Sequence, residues 1–246
     1  MSRGAWTVEW FGTATFRARR PGIDLFFDGY LDRVPGLDPV GLSVAEVKRA
    51  DFLFVSHAHF DHLYGVAPIA RSTGATVVAS PESARVLRQD GVPEDQLLLV
   101  TGGETVRCGP AASVRVLPAL HSCPFAAGDF DSAVECFGDL VVSAQDRWSK
   151  VQGIFADLRP DVAFLALAGR PNVAGEPYQG SAARFMLEQA EALHPGKVCF
   201  CHHDPLMPGL PGTDVTEAAA LIEARKPGSY FTLEYATARP LFAYRS

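Results

Sequence analysis

Residues 51–62 read D-F-L-F-V-S-H-A-H-F-D-H, an apolar run that passes directly into three histidines and an aspartate. The apolar half predicts a buried strand over 51–55. The polar half predicts a turn into a helix, because it follows a strand and carries no further strand pattern. Ionisable groups are costly to bury without partners, so the end of this strand has to open onto a site. Architectures that gather strand ends and their loops at one edge provide for this, which points to a layered α/β fold.

The rest of the chain fits that frame. W-T-V-E-W-F, A-T-F-R-A-R and I-D-L-F-F-D predict three short strands divided by Gly12 and by Pro21-Gly22. Leu42 to Ala50 predicts a short helix, with Ser43 as cap and Glu46 three residues on. Helices are expected over 62–72 and 82–89, and strands over 75–79, 96–100, 105–108 and 113–117. The second half predicts a hairpin over 134–143, a helix over 149–158 and a strand over 161–167. A helix over 181–193, a strand over 197–201, a helix after Thr216 and closing strands in Y-F-T-L-E-Y and L-F-A-Y complete the pattern. No linker divides the 246 residues, and a single domain over 1–246 is expected.

Six of the seven histidines fall at strand ends or in the loops after them: His57, His59, His62, His121, His202 and His203. His57 and His59 are two apart, so in extended backbone both rings point the same way and can grip one ion. Asp61 and His62 follow at the expected helix start, whose dipole favours a carboxylate and disfavours a protonated imidazole. The unit H-x-H-x-D-H offers the nitrogen and oxygen donors that a divalent cation takes. A cluster of cationic rings without a metal would be costly on protonation.

The stretch V-S-H-A-H-F-D-H resembles the histidine motif of the metallo-β-lactamase superfamily. The opening W-F-G-T-A-T-F-R…I-D-L-F-F-D-G-Y is similar to the N-terminal strands of that family, and its G-x-A-x-F start lies nearest the small ascorbate-6-phosphate lactonase-like branch. The resemblance implies an α/β fold, a four-layer αββα sandwich with the metal site at one edge of its two sheets. It implies His57, His59 and His121 as ligands of one metal position. Asp61, His62, Asp146 and His202 would serve the second, with Asp146 bridging. Gln145 and Arg147 replace the Gly and Thr that usually flank the bridging aspartate, and Asp139 is the competing position. His203 cannot face the same way as His202 from an extended strand, so His202 is expected at the site. Asp28 would support the ligands from beneath, and Arg170, Tyr178 and His203 are candidate substrate-facing groups. The implied cofactor is one or two divalent ions: zinc, with manganese and iron as alternatives.

Such a site implies a metal-dependent hydrolase that uses a metal-bound hydroxide on a small ester, lactone, amide or phosphoester, with Asp61 as the catalytic carboxylate. With two divalent ions, Asp61, Asp146 and a hydroxide, the charge sum of such a site would stay positive, which favours an anionic substrate group. The alternatives are a phosphodiesterase or nuclease of the same fold and a redox or non-catalytic metal protein. Lys and Arg number 22 against 28 Asp and Glu, giving a net charge of −6 and no expected footprint for nucleic acid or an anionic membrane. With no apolar leader or long apolar run and five scattered cysteines, the sequence predicts a cytoplasmic protein acting on a small molecule.

Overall fold

The computed structural model describes residues 6–110, 112–118, 158–168 and 181–241. The chain divides into two compact units, one of Met1–Leu117 with Leu206–Leu210 and Leu233–Ser246, the other of Pro118–Pro205 with Pro211–Thr232.

The first unit is built on a seven-stranded sheet. Its strands are β1 (Thr7–Trp10), β2 (Phe16–Arg20), β3 (Ile23–Phe27), β4 (Phe52–Phe54), β5 (Thr76–Ala79), β6 (Leu97–Leu99) and the terminal β11 (Arg239–Pro240). They lie in the order β11-β1-β2-β3-β4-β5-β6. Antiparallel pairing runs from β11 to β3 and parallel pairing from β3 to β6. The β2–β3 connection turns at Pro21-Gly22, where Gly22 has φ +89°, a conformation that favours glycine.

Parallel strands are covered on both faces, which is why D-F-L-F-V and A-T-V-V-A read as nearly continuous apolar runs. Phe26, Leu53 and Val77 stand in register on one face. They pack with Val66 and Ile69 of helix α2 (Val66–Thr73) and Leu87 of helix α3 (Pro81–Gln89). Phe27, Phe54 and Val78 occupy the opposite face, with the Phe27 and Phe54 rings stacked at 5.4 Å. That face is covered by Val106 and Val114 from a hairpin of β7 (Thr105–Arg107) and β8 (Ser113–Arg115). Each fully buried Leu, Ile or Phe contributes about 1.5–3 kcal/mol relative to an exposed one. Serine capping starts α3, where the Ser80 hydroxyl accepts from the Ser83 N–H and Pro81 takes the first turn.

The second unit holds a parallel pair, β9 (Val162–Ala166) and β10 (Lys197–Cys201). Helix α4 (Ala182–Leu193), capped by the Ser181 hydroxyl, lies between them in sequence, and helix α5 (Thr216–Arg225) follows. Leu165, Met186, Val198, Phe200 and Ile222 form this unit's core.

Three expectations need correcting. The Glu46 carboxylate does accept from the Ser43 N–H and hydroxyl, but over only a 3-10 turn at Val44–Glu46, not a helix to Ala50. The helix expected over 62–72 is two, α1 (Phe60–Leu63) and α2, parted at Gly65. Y-F-T-L-E-Y contributes isolated bridges at Tyr230 and Tyr235 rather than a strand. The hairpin over 134–143 lies outside the described residues, as does all but the last residue of the helix over 149–158. Among the described residues no helix is long and apolar enough to cross a membrane.

Candidate metal centre

The site-bearing end of β3 and β4 is shaped by one residue in an uncommon conformation. Asp28, directly after β3, has φ +56°, the left-handed region that Asp tolerates better than most residues. Its N–H still donates to the Phe54 carbonyl at 2.8 Å, so the turn begins while the sheet is intact. Asp28 is 3% exposed, and its carboxylate reaches across to the end of β4, where Oδ1 accepts the Ser56 N–H at 2.8 Å.

The motif unfolds from there. Val55 remains tied to the sheet through its N–H to the Val78 carbonyl at 2.9 Å. His57 and His59 follow in the loop, and His59 caps α1 from extended backbone. Their rings lie edge to face with centroids 4.4 Å apart, and His57 Nε2 stands 2.8 Å from His59 Nδ1. The two ring nitrogens thus face each other at hydrogen-bond distance. Phe60 and Tyr64 edge against the buried Tyr30 ring on the outer side of α1, which leaves Asp61 and His62 turned inward and buried.

Two backbone hydrogen bonds staple the Asp28 turn to α1. Gly29 N–H donates to the His62 carbonyl at 2.9 Å, and Gly65 N–H donates to the Gly29 carbonyl at 2.8 Å. A Cβ on Gly65 would run into that carbonyl oxygen, so the approach requires glycine and the helix breaks there. The result sets His62 Nδ1 2.8 Å from Asp28 Oδ2 and His62 Nε2 3.4 Å from Asp61 Oδ2.

Burial opposes a charge on His62, but the Asp28 carboxylate, its hydrogen bond and then Asp61 outweigh it and hold the imidazole above its ordinary pKa. This corrects the expectation that a helix start would keep His62 neutral. A four-residue helix has little dipole, and His62 lies in its last turn, in contact with a carboxylate. A cation and a proton therefore compete for His62 Nε2.

The donors fit a divalent cation. Two buried carboxylates flank a single buried imidazole, so oxygen and nitrogen donors of the kind such an ion takes stand side by side. The imidazole nitrogens and carboxylate oxygens suit zinc, manganese or iron.

The remaining expected site residues are not part of this corner of the first unit's sheet. His202 closes β10 in the second unit with φ +59°, so the backbone there is left-handed and the extended-strand alternation used to separate it from His203 does not apply. The His203 carbonyl accepts the Thr213 N–H at 2.6 Å, and burial holds the His203 ring below its ordinary pKa, against the pull of Asp204. His121, Asp146 with its competitor Asp139, Arg170 and Tyr178 lie outside the described residues. Sequence reasoning missed Ser56, which bonds both oxygens of Asp28. It also missed Thr13, a fully buried residue whose hydroxyl reaches the Asp61 carbonyl at 3.4 Å. The signals were a serine immediately before the first histidine and the polar G-T-A-T amid apolar text.

A model of the beta-lactamase superfamily domain matches residues 21–147, just over half of the chain. The chain belongs to this family. Its α/β architecture is accordingly that of the metallo-β-lactamase αββα fold. A UPF0173 metal-dependent hydrolase of Pyrobaculum calidifontis is 30% identical over 115 residues, 47% of this chain and 50% of the relative. The chain thus spans about half the length of the curated relatives it matches. Among solved structures, Igni18, a metallo hydrolase from Ignicoccus hospitalis, aligns over 98% of this chain and all of its own, with TM-score 0.70 and 19% identity. CmlA, a diiron β-hydroxylase from Streptomyces venezuelae, aligns over 97% of this chain and 55% of its own, with TM-score 0.64 and 19% identity. At such identities the likenesses bear on the fold, and the two neighbours run different chemistries on it.

Proposed function

We propose that the protein is a metal-dependent hydrolase of a small ester, lactone, amide or phosphoester. The observation that carries this reading is the convergence of His57 Nε2 and His59 Nδ1 beside the buried Asp28–His62–Asp61 row. The full ligand set of the reading is His57, His59 and His121 for one cation, and Asp61, His62, Asp146 and His202 for a second. Zinc is the assigned metal, and residues 1–246 act as one domain in the cytoplasm. The G-T-A-T-F opening supports placement nearest the ascorbate-6-phosphate lactonase-like branch.

When bound, a divalent cation supplies Lewis-acid polarisation and a water that ionises near neutral pH. The chain's own groups do the remaining work. Asp61 orients the attacking water and takes its proton. Asp28 holds His62 by Nδ1, which keeps Nε2 directed toward the ligand position. Arg170, Tyr178 and His203 are the candidate substrate-facing groups of this reading, and two divalent cations, when bound, would leave the ligand set net positive and suited to an anionic substrate group.

The test is turnover of p-nitrophenyl acetate and bis-p-nitrophenyl phosphate by protein stripped of metal and then reloaded with zinc, manganese or iron. Turnover should appear only on reloading and fall about 100-fold or more in Asp61→Asn. Hydrolysis that ignores chelation, or an Asp61→Asn variant as active as the parent, would overturn the reading. A preference for the diester would narrow the reading to its phosphodiesterase form.

A further inference from the structure

Ser56 has no part in the ligand set, yet its hydroxyl lies within the cluster. Oγ is 2.9 Å from Asp28 Oδ2, 3.1 Å from His57 Nδ1 and 3.1 Å from His62 Nδ1. The residue's N–H takes the other carboxylate oxygen, Asp28 Oδ1, at 2.8 Å. A hydroxyl carries one proton and two lone pairs, so it donates to only one of its three neighbours.

The carboxylate claims that proton. Were the hydroxyl to donate to His57 Nδ1, its oxygen would face Asp28 Oδ2 lone pair to lone pair at 2.9 Å, next to a buried negative charge. Donation to the carboxylate makes a charge-assisted bond, roughly twice as strong as a neutral one. Only acceptor capacity then remains on Oγ, so the contact with His57 requires the proton to sit on His57 Nδ1. The same count applies to His62, whose Nδ1 meets two acceptors, Asp28 Oδ2 at 2.8 Å and Ser56 Oγ at 3.1 Å. In their neutral forms both rings therefore carry Nδ1–H and leave a lone pair on Nε2.

The two rings are governed by different groups. For His62 the carboxylate suffices. For His57 the serine hydroxyl is the acceptor that sets the tautomer, and the freed Nε2 is the atom that converges with His59 Nδ1 at 2.8 Å. We propose that Ser56 is a positioning residue: it passes its hydroxyl proton to Asp28, accepts His57 Nδ1–H, and so presents His57 Nε2 as a ligand atom. This rests on the reading of His57 as a metal ligand. The proton assignment itself does not, because it follows from hydrogen-bond counting alone.

The experiment reads histidine tautomers by nitrogen–proton correlation spectroscopy in metal-free protein, at a pH where the rings are neutral, and zinc affinity by competition with a chromophoric chelator. The parent should show Nδ1–H at His57 and His62. Ser56→Ala should move His57 toward Nε2–H while His62 keeps Nδ1–H, and should weaken zinc binding about 10-fold. Ser56→Thr, which keeps the hydroxyl on a residue with open space outside it, should match the parent in both readouts. An Nε2–H tautomer at His57 in the parent overturns the proposal without any variant having to fold. So does a folded Ser56→Ala that keeps both the parent tautomer and the parent affinity. Parent protein with the expected tautomers that binds no zinc, manganese or iron overturns the ligand role of His57, and with it the hydrolase reading, a failure told apart by the intact proton assignment.

Discussion

Strand β3 carries an aspartate at each end, and the two live in opposite circumstances. Asp28, beyond the C-terminal end, has both carboxylate oxygens filled by the Ser56 N–H, the Ser56 hydroxyl and His62 Nδ1. Asp24, at the second position of the strand, has a buried Oδ1 that meets no hydrogen-bond donor among the described residues. Burial pushes the Asp24 carboxyl above its usual pKa, against the pull of Arg17, Arg19 and Arg49. Arg19 and Arg17 are already engaged with Glu9, and Arg49 with Asp51. Nearby cations thus do not offset burial at Asp24, whereas the Asp28 carboxylate is met by hydrogen-bond donors from Ser56 and His62. The left-handed turn at Asp28 turns its carboxylate toward such donors; Asp24 stays in the regular strand and gets none.

The largest effect should come from the filled end. Asp28→Ala removes the partner of a buried imidazole and of two Ser56 donors, and should cost about 3 kcal/mol in urea unfolding at pH 7, with loss of metal binding. Asp28→Asn sharpens the contrast, because Asn accepts the left-handed backbone while deleting the charge. It should keep most of the stability and still lose metal affinity. If Asn destabilises as much as Ala, the charge rather than the turn geometry dominates this corner.

Next is the staple. Gly65→Ala would force a methyl against the Gly29 carbonyl and should cost about 2 kcal/mol. It should also loosen the Asp28–His62 pair, visible as faster amide exchange at Gly29. A neutral outcome would mean that α1 and α2 shift freely and that the staple does not position the site.

The smallest effect belongs to Asp24. Its folded pKa lies above the unfolded one, so its charged form costs stability above the folded pKa, and the cost fades as pH falls through that value toward the unfolded carboxylate near about 3.9. Asp24→Asn should therefore stabilise the protein by a few tenths of a kcal/mol at pH 7, after solvent screening of a partly exposed group. Near pH 3 the gain should vanish. Destabilisation at pH 7 would show that the arginines, not burial, control this end.

The same contrast explains what was legible in the sequence. Apolar text divided by Pro21-Gly22 marks β2 and β3, and the strand-then-histidine order places His57 and His59 at a sheet end. I-D-L-F-F-D does not distinguish its two aspartates, because the difference is a backbone φ of +56° at Asp28. The break between α1 and α2 was equally hidden, since Gly65 is required by a carbonyl 36 positions earlier in the chain. The tertiary contacts of Asp28 also reversed the expected electrostatics of His62, which local helix position alone would have kept neutral.

The central claim is that the His57–His59 pair and the Asp28–His62–Asp61 row hold a divalent cation. Elemental analysis of protein dialysed against zinc, manganese and iron(II), on the parent and on His57→Ala/His59→Ala, tests it most directly. The account predicts at least one equivalent retained by the parent and at least one fewer in the variant. Parent protein that retains none, or a double variant that retains as much as the parent, would contradict it.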